Sequence, residues 1–235
     1  MLQDLLKSLL NILIPSVCLF CRTPANDCIC INCRNMINFI SDGICQICGM
    51  PFVSKISSHH TCSNCIKKKP PFSSARSIAV YDGVLLDAIH RFKYNGKTSI
   101  AKPLGSIMAD RLPPNNYDII VPVPLHKKRL KHRGFNQSLL LARKISKRHK
   151  IPIDYLNLIR ERLTEPQIKL KGKERLKNVK GAFAVRDKSV FKNKNVLIID
   201  DVYTTGATIN ECARVLKKAG VKGVYALTLA RTTVL

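Results

Sequence analysis

A chain of 235 residues, 46% of them apolar, has room for one ordinary domain plus a small one and is too apolar to be a disordered tract. Its 40 lysines and arginines against 15 acidic residues leave a formal net charge of +25, a field that attracts polyanions: nucleic acid, an anionic membrane surface or a polyphosphate substrate. No apolar run approaches the ~18 residues that a membrane-spanning helix needs, so a helical integral membrane protein is excluded.

The chain opens with Leu2, Leu5, Leu6, Leu9, Leu10 and Leu13 at helical spacing, interrupted by Asp4 and Lys7. There is no basic leader and no small-residue cleavage site. The pattern predicts a short amphipathic helix packed on the protein, with attachment to a membrane surface as the alternative. Nine of the ten cysteines follow, all between Cys18 and Cys65. Cys18 and Cys21, then Cys30 and Cys33, form one pair of Cys-x-x-Cys turns; Cys45 and Cys48, then Cys62 and Cys65, form another. Each turn presents two thiolates to one metal, and two turns complete a tetrahedron, so two structural Zn²⁺ sites are expected. Cys28 is left over and competes with Cys30 for a place in the first site. A disulfide framework is the rival reading; it calls for an oxidising compartment, which nothing in the sequence indicates. A segment so poor in large apolar residues depends on its metals to fold.

Lys67, Lys68 and Lys69 lead out of the second knuckle, and Pro70-Pro71 reads as a linker. Residues 1–70 are therefore taken as one unit and residues 71–235 as a second. In the second unit, residues 75–81 are β-rich and predict a strand, and Asp82-Gly83 a turn. Leu85, Leu86, Ile89 and Phe92 mark a helix ending at Lys93-Tyr94-Asn95-Gly96, and residues 101–112 mark another, stopped by Pro113-Pro114. Residues 118–123 predict a buried strand. A loop dense in cations follows it: Lys127, Lys128, Arg129, Lys131 and Arg133, with His126 and His132 between them. That density suits a pyrophosphate or a nucleic-acid backbone. Arg129 and Arg133 are the candidates for the former; Lys127, Lys128 and Lys131, with Lys67, Lys68 and Lys69, are the candidates for DNA. Residues 134–150 then predict a helix. From 158 to 183 the periodicity fails, which predicts either a mobile basic lid, with Thr164 and Gln167 anchoring it, or a plain insertion.

The chain's organising stretch comes last. Residues 195–199 are an apolar, β-branched run, Asp200 and Asp201 end it, and Tyr203-Thr204-Thr205-Gly206-Ala207-Thr208 leads into a helix whose apolar residues include Ile209, Cys212, Ala213 and Leu216. Ligands of open α/β sheets bind where a strand's carboxyl end meets such a loop. Gly206 lets backbone approach a ligand, the threonines add hydroxyls, and the helix N-terminus adds free N–H groups, which together make a phosphate cradle. Two carboxylates would repel a bare phosphate. They fit a ligand that also carries hydroxyls or a bound Mg²⁺, as a phosphorylated sugar does. A final strand is expected over residues 224–230.

This stretch resembles the phosphoribosyl pyrophosphate (PRPP) signature of type I phosphoribosyltransferases. That resemblance implies that the acid pair meets the ribose hydroxyls and that Thr204, Thr205, Gly206, Ala207 and Thr208 hold the 5′-phosphate. The whole chain, through its paired knuckles, Pro122-Val123-Pro124-Leu125, Arg129, Arg133-Gly134-Phe135-Asn136-Gln137, Arg162, Thr164, Gln167, Arg175, Asn178 and the acid-pair loop, is similar to the ComF family of bacterial competence proteins. The family implies a double zinc ribbon ahead of an α/β, type I phosphoribosyltransferase-like domain with a mainly parallel sheet and flanking helices. It also implies a cytoplasmic role, at the inner membrane, in handling incoming single-stranded DNA, with a DNA channel and a helicase-like protein as partners. Two readings stay open: a PRPP-binding competence factor, or an active transferase with an unidentified nucleobase or amine acceptor. In the second, Asp200 and Asp201 carry the catalytic role by orienting the ribose, with Mg²⁺ on the pyrophosphate.

Overall fold

The computed structural model describes residues 17–52, 60–94, 96–164 and 172–233. The N-terminal leucine pattern and Gln167 lie outside them, as does the side chain of Arg175. The apolar run before the acid pair is the strand Asn195–Tyr203 (β5), hydrogen-bonded on both sides. With Ser74–Val80 (β1), Ile119–Pro122 (β2) and Gly223–Arg231 (β6) it forms a four-stranded, wholly parallel sheet in the order β1-β6-β5-β2. Alternate β5 residues face opposite cores. Leu197 and Ile199 join one apolar cluster and Val196 and Ile198 the other, so both faces are covered and the strand reads as a continuous apolar run.

One face is packed by Gly83–Tyr94 (α3), Ala101–Asp110 (α4) and Gln137–His149 (α6), through Leu85, Ile89, Phe92, Leu104, Met108, Leu141 and Ile145. The other is packed by Ala207–Lys218 (α8), through Ile209, Cys212, Ala213 and Leu216. Cys212 is buried core, as its place in the helical stripe predicts. Two short helices, Ile31–Asn35 (α1) and Ser63–Lys67 (α2), each follow the third cysteine of a knuckle group.

Two expectations are corrected. The basic stretch is a seven-residue helix, Lys127–Arg133 (α5), not a loop. Its N-cap His126 accepts the Lys128 N–H on Nδ1 at 3.2 Å, and Gly134 ends it at φ +81°, so α6 begins three residues later than 134. There Asn136 caps α6 by accepting the Ser138 and Leu139 N–H groups at 3.0 and 3.4 Å. Nor is the region from 158 to 183 patternless. Leu158–Arg160 (β3) pairs antiparallel with Phe183–Val185 (β4), and Gly172–Val179 (α7) lies between them. Arg162, within the segment expected as a basic lid or a plain insertion, donates to the carbonyls of Asn178 and Lys180 at 2.8 and 2.9 Å and ties that segment together.

The knuckles straddle the sheet at its β1 edge. Cys18, Phe20, Cys33 and Ile37 join the α3/α4/α6 core, whereas Cys45, Cys48, Cys65 and Phe72 join the α8 core. Between them the chain runs along β1. The Ile40 N–H donates to the Ile78 carbonyl at 2.9 Å, the Val80 N–H to the Asn38 carbonyl at 2.8 Å and the Ala75 N–H to the Ile47 carbonyl at 2.7 Å. Backbone groups that an edge strand would leave open are thereby used. Gly49 makes the close approach possible: it sits at φ +69°, and a Cβ there would lie 2.6 Å from the Ala75 carbonyl oxygen. Gly49→Ala should destabilise the chain by about 1–3 kcal/mol, seen as a lower thermal midpoint. An unchanged midpoint would mean that this docking contributes nothing.

Candidate functional site

Within each cysteine group the four sulfur atoms lie within 4.8 Å of one another. Cys21 Sγ is 3.7 Å from Cys30 Sγ, and Cys48 Sγ is 3.6 Å from Cys62 Sγ. A tetrahedron of Zn–S bonds of ~2.3 Å requires sulfurs about 3.8 Å apart, whereas a disulfide requires ~2.05 Å. The spacing therefore fits zinc. The backbone supports thiolates at the same places: the Phe20 and Cys30 N–H groups donate to Cys18 Sγ, and the Cys62 N–H donates to Cys45 Sγ, each at 3.3 Å. Burial pushes the Cys45 thiol up, but the N–H groups of Cys62, Cys48 and Ile47 outweigh it and bring it to about 6. The first group consists of Cys18, Cys21, Cys30 and Cys33, which settles the alternative in favour of Cys30; Cys28 is exposed outside it. All four positions of each tetrahedron are protein sulfur, so these are structural centres with no open position for chemistry.

The carboxyl ends of β1, β2, β5 and β6 border a cleft of about 760 Å³. Asp200 and Asp201 form its floor, at 8% and 3% exposure. Asp200 Oδ1 accepts the Ser138 hydroxyl at 3.0 Å and the Asp201 N–H at 2.9 Å. Lys93 Nζ lies 2.9 Å from Asp201 Oδ1. Burial, then the charge of Asp201, push the Asp200 carboxyl well above the usual range, against the pull of Lys93. Burial works to lower the Lys93 pKa, but Asp201 overcomes it and holds the ammonium protonated. Asp201 Oδ2 is buried without a hydrogen-bond partner, an acceptor of the kind that a sugar hydroxyl or a divalent cation satisfies.

Beside the acids, Gly206 stands at φ +75° as the N-cap of α8. Thr204, Gly206, Ala207 and Thr208 line the cleft. Thr205 does not: it is exposed, and its hydroxyl accepts the Ala207 N–H at 3.4 Å, shaping the turn from outside. The cationic pole comes from α5 and β3. Lys128, Arg129, His132, Arg133 and Arg160 line the cleft. Arg129 donates to the Thr164 carbonyl, Arg160 to the Thr164 hydroxyl and Arg133 to Gln137 Oε1, so Thr164 anchors its segment as expected. Burial, then the charge of Arg129, bring Arg160 down to about 10. None of the three guanidinium groups pairs with a carboxylate among the described residues, so the cluster is short of anions. Lys127 and Lys131 are exposed and outside the cleft lining, and Lys67, Lys68 and Lys69 are exposed on the second knuckle. Lys93, Tyr81 and Tyr94 were not foreseen in the site. Lys93-Tyr94 closes the α3 pattern, and a lysine on the last turn of a helix reads as solvated unless its distant partner is known.

A family model described as "Phosphoribosyl transferase domain" matches residues 136–233, and one described as "Double zinc ribbon domain" matches residues 9–66. The Haemophilus influenzae protein "Competence protein F" is 33% identical over 86% of this chain and 96% of its own length. This chain belongs to the competence protein F family. "Competence protein ComFC" of Bacillus subtilis is 32% identical over 87% of this chain and 84% of its own length. "DNA utilization protein YhgH" of Escherichia coli is 32% identical over 93% of this chain and 98% of its own length. This chain thus carries a double zinc ribbon ahead of a phosphoribosyltransferase-like fold. Among the described residues no helix is long and apolar enough to cross a membrane. The purified chain should hold two zinc ions and Cys62→Ser one, by elemental analysis; a folded chain free of zinc would contradict this assignment.

Proposed function

We propose that the cleft binds PRPP with Mg²⁺ and that the protein serves natural transformation, handling incoming single-stranded DNA. The observation that carries the reading is the meeting, in one cleft, of a buried acid pair, a phosphate-cradling turn at a helix N-terminus and an unneutralised guanidinium cluster. Each suits one part of PRPP. Thr204, Gly206, Ala207 and Thr208, with the N–H groups opening α8, take the 5′-phosphate, and Thr205 holds the turn. Asp200 and Asp201 take the ribose hydroxyls and, with the pyrophosphate, the Mg²⁺ ion. Arg129, Arg133, Arg160 and Lys128 take the pyrophosphate. Lys93 compensates Asp201 until the ligand arrives.

The DNA part of the reading rests on the competence and DNA-utilization names of the relatives and on the +25 charge. Lys127 and Lys131 on α5, and Lys67, Lys68 and Lys69, offer exposed cations that contact phosphates without reading bases. A cytoplasmic protein working at the inner face of the membrane, beside a DNA channel and a helicase-like protein, is the corresponding setting.

Calorimetry with PRPP and Mg²⁺ tests the cleft. The chain should bind, and Asp200→Asn with Asp201→Asn should weaken binding at least tenfold, about 1.4 kcal/mol, with the fold intact by circular dichroism. Equal binding by the double variant would remove the acid pair from the site. The same titration, followed for free pyrophosphate in the presence of nucleobases or amines, decides whether the ligand is also turned over. Affinity for an oligothymidylate should fall with salt, and replacing Lys127 and Lys131 by alanine should flatten the slope of log K against log salt by about 0.7 for each phosphate that is no longer neutralised. A salt-independent affinity would contradict the DNA reading.

A further inference from the structure

Arg231, the last residue of β6, is 1% exposed and heads the fully buried side chains by size. Burying a guanidinium is expensive, and among the described residues no carboxylate pairs with this one. Its Nη1 donates to the Cys48 carbonyl at 2.7 Å, Nη2 reaches Met50 Sδ at 3.5 Å, and Nε has no partner. Its Cζ lies 4.9 Å from the centre of the Tyr203 ring, and Arg231 and Tyr203 are paired in register across β6 and β5. The Tyr203 side chain in turn packs under the phosphate-cradling turn: a Cβ on Gly206 would meet the Tyr203 hydroxyl oxygen first and then Cζ, at 2.6 Å. Tyr203 and Ala207 share an apolar cluster with Cys45, Cys48 and Cys65. An unbroken line of contact therefore runs from the second cysteine centre through Arg231 and Tyr203 to Gly206. The first centre instead packs against the opposite face, where Arg91 of α3 donates to the Phe20 carbonyl at 2.7 Å.

We infer that Arg231 and Tyr203 are positioning residues through which the second cysteine centre buttresses the phosphate cradle. The inference rests on the reading of the cleft as a PRPP site. The donor set and spacing at Cys45, Cys48, Cys62 and Cys65 fit zinc, and zinc there fixes the Cys48 carbonyl that Arg231 grips. Arg231 then holds the Tyr203 side chain beneath Gly206, and that side chain keeps the turn in the left-handed conformation that aims its N–H groups into the cleft. The second half of the ribbon is on this account part of the ligand site at one remove.

Two probes separate positioning from general stability. Ribose 5-phosphate reports the cradle and the acid pair; inorganic pyrophosphate reports the guanidinium pole, which is built on α5 and β3 and not on the Arg231–Tyr203 line. By calorimetry on the full chain, Tyr203→Leu and Arg231→Met should weaken ribose 5-phosphate about tenfold, as loss of an outer supporting contact does, with pyrophosphate affinity unchanged. Tyr203→Phe removes the hydroxyl but keeps the ring and should lose less than Tyr203→Leu, and Tyr203→Leu carries the test if Arg231→Met does not fold. Equal losses for both probes, or no loss for either, would overturn the inference. Failure of the unmodified chain to bind ribose 5-phosphate or PRPP would overturn the underlying reading of the cleft instead.

Discussion

Two carboxylates side by side at 8% and 3% exposure are the constraint around which this molecule is arranged. Burying one ionised carboxylate is costly, and burying its neighbour as well adds like-charge repulsion. Two other elements and the strand itself meet that cost: Ser138 at the start of α6 donates a hydroxyl, α3 delivers the Lys93 ammonium, and β5 donates the Asp201 N–H. The compensation is incomplete, because Asp201 Oδ2 stays unpartnered. An apolar pair at the end of β5 would be more stable. The residual imbalance leaves one buried carboxylate oxygen open at the cleft.

The opposite pole has the complementary imbalance. Among the described residues Arg129, Arg133 and Arg160 converge without a paired carboxylate, and burial together with their mutual repulsion holds Arg129 and Arg160 below the usual guanidinium range. A fold tolerates such a cluster when a ligand supplies the missing charge. The N-terminus of α8 lies beside the acid pair, so one cleft presents a buried acid pair, a turn with free N–H groups and a guanidinium cluster. The knuckles meet a different need. Their metals organise segments that could not form a core alone, and those segments then complete the two cores of the sheet and occupy its β1 edge.

Much of this was legible in the sequence because the signals were local. Four Cys-x-x-Cys turns, a β-branched run ending in two acids and a Thr-Thr-Gly-Ala-Thr turn need no partner to be read. The basic helix α5 escaped because none of its residues is buried, so it has no apolar period. Strands β3 and β4 are three residues each, too short to show alternation. The true start of α6 was marked by Asn136 as a capping residue, a signal that the run of cations before it obscured. Lys93 and Arg231 were hidden for another reason. A lysine at a helix end and an arginine at a strand end look solvated until the tertiary fold sets one against Asp201 and the other against Cys48 and Tyr203.

The central claim is that a single ligand bridges the acid pair, the turn at Gly206 and the guanidinium pole. Hydrogen exchange on the full chain, with and without PRPP and Mg²⁺, tests it most directly, since exchange reports local opening segment by segment. The account predicts added protection in three separate stretches at once: 200–210, 126–134 and the end of α3 around Lys93. Protection confined to one of them, or none, would contradict it.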